Sequence, residues 1–145
     1  MNNNKGIFAN PAQLQKELLP FFAGHPDIEA AYLFGSTALG NDGPDSDIDI
    51  AIRCTFDLSP ESCFELRIEF MEELEKMLNR DTDIVVLNTA SLKMIRQVLT
   101  HGMLIYAEDA ERERMWAIQK QKEYFDFKYY IDQNRKELKS YFGAA

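Results

Sequence analysis

Two aspartates separated by a single residue, Asp47 and Asp49, are the side chains best suited to chemistry in this sequence. They begin the run Asp-Ile-Asp-Ile-Ala-Ile, which predicts a β-strand over residues 47–54 with isoleucines on one face and carboxylates on the other. Residues on the same face have α-carbons about 6 to 7 Å apart, so both carboxylates could reach around one or two divalent ions. Magnesium takes a few carboxylates and completes its shell with waters and substrate phosphates. Because buried, unpaired carboxylates are costly, the pair predicts a metal site.

The dipeptide Gly35-Ser36 ends an apolar run, and ten residues separate it from Asp47. Glycine lets backbone amides approach a phosphate closely, and the serine hydroxyl can donate a hydrogen bond. A helical turn predicted over residues 37–39 would direct N–H groups and a partial positive charge the same way. Gly-Ser after a strand is usually only a turn, but its spacing to the aspartate pair indicates a place for a nucleoside triphosphate.

Two-metal phosphoryl chemistry needs a third carboxylate, because the attacking hydroxyl must be placed on one metal and lose its proton. Asp83 is the preferred candidate, since it begins an apolar run, Asp-Ile-Val-Val-Leu, that could lie beside the strand of the aspartate pair. Asp81 shares a strand face with Asp83 and is the alternative.

The hydrophobic pattern predicts the elements that carry these residues. Three helices are capped by Asn10, Ser59 and Ser91, and the first and third end at Gly24 and Gly102. The stretch 109–142 is predicted to be one long helix or two. The whole chain, 1–145, is therefore expected to be one α/β (α+β) domain with a core of about 12–108, in which helices flank a small mixed sheet. Strands are predicted over 28–34, 47–54 and 82–88, with an edge strand over 103–106. The apolar positions of the second helix are Phe64, Ile68, Met71, Leu74 and Leu78.

Composition excludes several classes of protein. The net charge of −8 argues against a protein that wraps nucleic acid through its phosphates. The charge is uneven: residues 1–108 carry a net −9 and residues 109–145 a net +1, so the acidic part suits a metal site or a basic partner, or is a solvated surface. No apolar run is long enough to cross a membrane, and the first residues lack the apolar segment of a secretory signal. Cys54 and Cys63 are expected to be free thiols in a reducing cytoplasm.

Taken together, Gly35-Ser36, the Asp47-x-Asp49 pair and Asp83 resemble the nucleotidyltransferases of the DNA polymerase β-like superfamily. The short chain is similar to the minimal nucleotidyltransferases (MNT), and more narrowly to the MntA-type antitoxins that work with a HEPN-domain RNase toxin. The likeness runs over roughly residues 12–140 and includes the strand Asp-Ile-Val-Val-Leu-Asn.

This resemblance implies a reaction and a role for each residue. Asp47 and Asp49 would hold two magnesium ions, and Asp83 would join the catalytic metal and help to deprotonate the acceptor. Gly35 and Ser36 would hold the β- and γ-phosphates of ATP. The acceptor, a tyrosine of the toxin, would attack the α-phosphorus, so that AMP is transferred and pyrophosphate leaves.

One departure from the family pattern is Leu39, which stands where Gly-Ser-x-Ala-Arg-Gly has its arginine. It removes a cation near the triphosphate, or a supporting salt bridge, and predicts weaker nucleotide binding. The intact carboxylates favour activity nevertheless. Two other functions stay open: nucleotidyl transfer to a small-molecule hydroxyl, and neutralisation of a toxin by binding alone.

The C-terminal stretch is rich in aromatic residues. One set follows a helical stripe and is predicted to be core: Trp116, Tyr124, Phe127, Ile131 and Leu138. Phe125, Tyr129 and Tyr130 fall off that stripe, which makes the apolar face wider than one contact with a sheet requires. They are predicted to help bind the partner toxin.

Overall fold

The computed structural model describes residues 10–38 and 47–141. Leu39, the end of the predicted turn at 37–39 and Phe142 lie outside these residues, as does the side chain of Leu138. The helices are α1 (Pro11–Ala23), α2 (Gly35–Ala38), α3 (Pro60–Leu78), α4 (Leu92–His101) and α5 (Ala110–Tyr141), and the strands are β1 (Ile28–Phe34), β2 (Ile48–Cys54), β3 (Thr82–Val86) and β4 (Met103–Ala107).

The four strands form one mixed sheet in the order β3-β2-β1-β4. β1 is antiparallel to both β2 and β4, whereas β2 and β3 run parallel. The predicted fold class, a small mixed sheet flanked by helices with a long C-terminal helix, is therefore confirmed. Among the residues that the structure describes, β3 and β4 are the edges of the sheet. That 1–145 is a single domain stays a prediction.

Side-chain hydrogen bonds explain where the helices begin. The Asn10 side chain accepts from the N–H groups of Ala12 and Gln13, at 2.9 and 3.3 Å. Ser59 and Ser91 cap α3 and α4 in the same way, each at 3.1 Å from an N–H three residues on. These contacts satisfy N–H groups that the first turn of a helix leaves without partners, so the capping residues predicted the starts correctly.

Two apolar layers pack on opposite faces of the sheet. Helices α1 and α3 bury Leu14, Leu18, Phe70 and Leu74 against the isoleucines of β2. On the other face, α4 places Ile95 and Val98 against small residues of β1 and β2. The alternation along β2 thus separates its isoleucines from the face that carries Asp49.

Two predicted details of the elements are wrong. Of the predicted apolar positions of α3, Leu74 and Leu78 are buried, but Phe64 is 58% and Ile68 38% exposed. The helix buries Cys63, Leu66 and Phe70 in their place. Both sets of positions have helical spacing, and periodicity alone does not tell which set faces the sheet.

Strand β3 also ends earlier than predicted, at Val86 instead of residue 88. Asn88 lies beyond a short 3₁₀ turn, where its side chain accepts from the Cys54 N–H at 2.8 Å and donates to the Cys54 carbonyl at 3.0 Å. The side-chain amide thereby satisfies the last backbone groups of β2 in place of a backbone ladder.

Residues 110–141 form one continuous helix, which settles the choice between one helix and two. The predicted stripe is only partly confirmed: Trp116, Tyr124 and Ile131 are half-buried, but Phe127 is 54% exposed. Helix α5 packs mainly on α4, and beyond Tyr124 most of its described side chains face outward. The core prediction for Phe127 is wrong because α5 extends beyond the part of the protein on which it packs, and Phe127 lies in that extension.

A buried ionic network joins α5 to the sheet. Glu113 of α5 accepts a hydrogen bond from the Tyr32 hydroxyl and pairs with Arg53 of β2, whose Nε donates to it at 3.0 Å. Arg53 also pairs with Glu29 and lies over the Trp116 ring, with its Cζ 4.9 Å from the ring centroid. Burial, followed by the contact with Glu113, raises the pKa of the Tyr32 phenol well above its ordinary value.

The two cysteines are buried free thiols, as expected. Burial raises the pKa of Cys54 to about 12, with the neighbouring Cys63 adding to the shift. A protonated, inaccessible thiol is unreactive, so this pair contributes packing. Among the described residues, no helix is long and apolar enough to cross a membrane.

Candidate active site

The register of the sheet brings Asp49 and Asp83 side by side. β2 and β3 are parallel, and Asp49 is the direct partner of Asp83 in their pairing. Neighbouring strands lie about 4.8 Å apart, so the two carboxylates leave the same face of the sheet as immediate neighbours. On its other side Asp49 pairs with Phe34, the last residue of β1, directly before Gly35. The structure therefore brings together three of the predicted sites from three separate segments.

Asp47 lies just before β2, and not within it as predicted. It is exposed, and the N–H of the next residue, Ile48, donates to the Asp81 carbonyl at 2.9 Å. Asp47 and Asp81 therefore occupy the same end of the sheet, one step before the Asp49–Asp83 pair. This placement favours Asp83 over Asp81 as the partner of Asp49, while their chemical roles stay predictions.

Gly35 has two structural reasons to be glycine. Its φ of +73° is in the region that side chains disfavour. A Cβ there would also lie 3.1 Å from Cγ and 3.3 Å from Cβ of Asp49, and closer still to a carboxylate oxygen. The sequence predicted a glycine that admits a phosphate. In the structure the residue admits the carboxylate of Asp49, and Ser36 follows it in the short helix α2.

Burial and negative neighbours dominate the electrostatics of Asp49. The pKa of Asp49 is raised above its ordinary value by burial first, and then by the negative charges of Asp83 and Asp47. Carboxylates that repel one another in a half-buried position form the donor set that suits magnesium. In the part of the chain that the structure describes, no three His, Cys, Asp or Glu side chains are arranged to hold one ion as they stand. The donor chemistry fits a divalent cation, although the carboxylates are adjacent without being preassembled around one point.

Arg67 is a neighbour of the site that the sequence analysis missed. Its Nη2 lies 3.7 Å from Oδ1 of Asp83, and its Nε donates to the Ile84 carbonyl at 2.6 Å. Arg67 belongs to α3, whose apolar residues cover the opposite face of the sheet. Nothing in its spacing relates it to the aspartates, so only the tertiary structure could identify it.

Comparison with known proteins identifies the class. Residues 16–111 match the polymerase beta nucleotidyltransferase family, which is more than half of the chain. The chain belongs to this family, and the resemblance predicted from Gly35-Ser36 and the three aspartates is confirmed.

Particular relatives narrow the likeness to MNT-type antitoxins. The protein adenylyltransferase MntA of Shewanella oneidensis is 33% identical over 88 residues, which span 61% of this chain and 60% of that protein. A chain from a crystal structure of a toxin–antitoxin with AMP-PNP matches with a TM-score of 0.65 and 27% identity, over 95% of this chain and 98% of that one. A chain from a mutant MntA–HpeT toxin–antitoxin also has a TM-score of 0.65, at 26% identity over 89% of this chain and 97% of its own. The predicted resemblance to MntA-type antitoxins is confirmed by these relatives.

Proposed function

We propose that this protein is an antitoxin that transfers AMP from ATP to a tyrosine hydroxyl of a cognate HEPN-domain RNase toxin and thereby neutralises it. The observation that carries the proposal is the pairing of Asp49 with Asp83, directly beside Gly35. Membership of the nucleotidyltransferase family supports the reaction class. The adenylyltransferase MntA and the AMP-PNP structure among the relatives support ATP as the donor and a protein as the acceptor.

Each residue of the site has a role in this proposal. Asp47, Asp49 and Asp83 would hold Mg²⁺, which supplies charge compensation for a triphosphate and its leaving group. Asp83, whose side chain is 53% exposed, is accessible to an incoming acceptor hydroxyl and would take its proton. Gly35 and Ser36 would hold the β- and γ-phosphates of the nucleotide. The new bond joins the tyrosine oxygen to the α-phosphorus, and the bond to the bridging oxygen breaks to release pyrophosphate.

The acceptor is expected to arrive on another protein. The exposed end of α5 supports this, because it presents large aromatic side chains to solvent: Phe125 is 51%, Tyr129 67% and Tyr130 62% exposed. Phe125 is partly engaged, since the Arg96 guanidinium carbon lies 4.5 Å from its ring centroid. We infer that Tyr129 and Tyr130 contribute most to binding the toxin. We further infer that the complex forms in the cytoplasm and involves neither nucleic acid nor a membrane.

The reaction can be tested with ATP labelled on its α-phosphate. This protein and the product of the neighbouring gene would be incubated with Mg²⁺, and the label followed into protein and into small molecules. We expect label on the neighbouring protein. Its loss is expected to be at least about 10³-fold for Asp49→Ala, because metal-assisted charge stabilisation contributes several kcal/mol.

Asp83→Asn and Asp81→Asn form a matched pair in this assay. The two carboxylates are close in sequence, but only Asp83 pairs with Asp49, so only Asp83→Asn should abolish transfer. Equal loss from both variants would contradict the assigned third carboxylate.

The same experiment distinguishes the alternatives. Label that enters only a small molecule would indicate a small-molecule acceptor. A stable complex that carries no label under any condition would leave neutralisation by binding alone.

Tyr129→Ala should weaken copurification of the toxin while leaving the unfolding transition unchanged, and undiminished copurification would contradict a docking role for this part of α5.

A further inference from the structure

The position of Arg67 relative to the sheet is unusual. Asp83 shares its face with Asp49, whereas Ile84, the next residue, packs on the opposite side with the core under α1 and α3. Arg67 comes from α3, on that opposite side. It reaches Asp83 by passing around β3, which is possible because β3 is an edge strand.

The guanidinium uses different nitrogens for two neighbouring acceptors. Nε donates to the Ile84 carbonyl at 2.6 Å, and Nη2 lies 3.7 Å from the Asp83 carboxylate. The contact with the backbone fixes the plane of the guanidinium, and so fixes the direction from which Asp83 meets a positive charge.

The ion pair between Arg67 and Asp83 adds little to stability. The side chains are 34% and 53% exposed, and ion pairs in such positions contribute about 0 to 1 kcal/mol. What the contact does provide is orientation, because it restricts a half-exposed carboxylate at the edge of the sheet.

We propose that Arg67 is a positioning residue, which holds the Asp83 carboxylate beside Asp49 so that both can bind one divalent cation. The catalytic meaning of this inference rests on the proposed function. The positioning itself is measurable with Mn²⁺ alone, which accepts the same oxygen ligands as Mg²⁺.

Charge and positioning predict opposite results for Mn²⁺ binding. If Arg67 acted only through its charge, its removal would relieve a repulsion and Mn²⁺ would bind more tightly. If it positions Asp83, its removal should weaken binding, and the loss of residues that orient metal ligands typically costs about 10- to 100-fold in affinity.

The test compares the Mn²⁺ dissociation constants of the wild type, Arg67→Ala and Lys76→Ala, measured by electron paramagnetic resonance. Lys76 is an exposed cation on the same helix, so its removal changes the net charge equally without touching Asp83. We expect binding about 10- to 100-fold weaker for Arg67→Ala and nearly unchanged for Lys76→Ala. Unchanged or tighter binding by Arg67→Ala would overturn the inference.

Two further variants separate positioning from local structure. Arg67→Lys should recover only part of the affinity, because one ammonium group replaces two differently directed contacts; full recovery would overturn the inference. In the Asp83→Ala background, Arg67→Ala should cause no additional loss of Mn²⁺ binding. An equal further loss there would show that Arg67 acts through something other than Asp83.

The outcome is independent of AMP transfer. If the wild type binds Mn²⁺ but labels no acceptor, the proposed function fails, and the comparison of Arg67 variants still decides the positioning. If the wild type itself binds no Mn²⁺, the metal site and this inference are both overturned. Where transfer does occur, Arg67→Ala should lower kcat with little change in KM for ATP, since the proposed function assigns Asp83 to the acceptor hydroxyl.

Discussion

Strand β2 carries charged groups toward both of its ends on the same face of the sheet, and their surroundings differ. Arg53 is buried and paired with Glu113 and Glu29. Asp49 is half-buried beside two further carboxylates, and burial first, then their negative charges, raise its pKa. The first end is satisfied by residues of the chain itself, as buried charges in a stable core must be. The end with Asp49 is left to be neutralised by a bound ligand, which is typical of a functional site.

Removing Glu113 should have the largest effect on stability. Glu113→Ala would leave Arg53 buried with only Glu29 and deprive the Tyr32 hydroxyl of its acceptor. Loss of one partner from a buried pair costs about 3 to 5 kcal/mol, measurable as a lower midpoint in urea. The control is Arg114→Ala, which breaks an exposed pair with Glu111 on the same helix and should be nearly neutral. Equal effects from the two variants would show that the network around Arg53 stabilises the fold no more than an exposed ion pair does.

Gly35→Ala tests the other end of the strand. Alanine at this position must adopt a positive φ, at a cost of about 1 to 2 kcal/mol. Its Cβ also displaces the Asp49 carboxylate. We expect lower stability and weaker Mn²⁺ binding. Gly24→Ala is the control, because its Cβ would be 3.6 Å from the nearest atom at an ordinary φ of −84°.

The two costs of Gly35→Ala can be separated in the Asp49→Ala background. There the carboxylate is absent, so only the backbone strain and the milder 3.3 Å approach to Cβ of residue 49 should remain. The same destabilisation in both backgrounds would contradict the close approach of Gly35 to Asp49.

These two ends also differ in how far the sequence predicts them. Asp47, Asp49 and Gly35 are near one another in the chain, so strand alternation and spacing were sufficient to bring them together. Asp83 required a guess that two apolar runs pair, which the register of β2 and β3 supports. Glu113 lies 60 residues from Arg53, and Arg67 approaches from the opposite layer around an edge strand. Contacts of that kind depend on how layers pack, and hydrophobic periodicity does not encode it.

Trp116→Phe should have a smaller effect on stability, at the end of β2 that carries Arg53. The Arg53 guanidinium lies over the indole ring, and a cation–π contact contributes about 0.5 to 2 kcal/mol, most strongly with tryptophan. We expect a loss near the lower end of that range in urea unfolding, because phenylalanine keeps a ring in place. Phe56→Ala is the matched control, since Phe56 is an aromatic residue that is 92% exposed. A larger loss of stability for Phe56→Ala than for Trp116→Phe would show that the Trp116 ring does not contribute to the network around Arg53.

Asp49→Asn should have the smallest effect on stability, with the opposite sign. Because burial and the neighbouring carboxylates raise the pKa of Asp49 in the folded state, the folded protein keeps this proton when the unfolded chain has already released it. Below its ordinary pKa of 3.8, both states are protonated and the residue costs nothing. As the pH rises from there through the raised pKa of the folded state, the metal-free wild type should lose stability relative to Asp49→Asn.

Thermal unfolding from acid to neutral pH in the presence of a chelator would measure this difference, with Asp57→Asn as an exposed control. Added Mg²⁺ should then stabilise the wild type but not Asp49→Asn, because a ligand that binds only the folded state shifts unfolding by mass action. If Asp49→Asn were instead less stable at neutral pH without metal, Asp49 would be satisfied by the chain, and the contrast between the two ends of β2 would be lost.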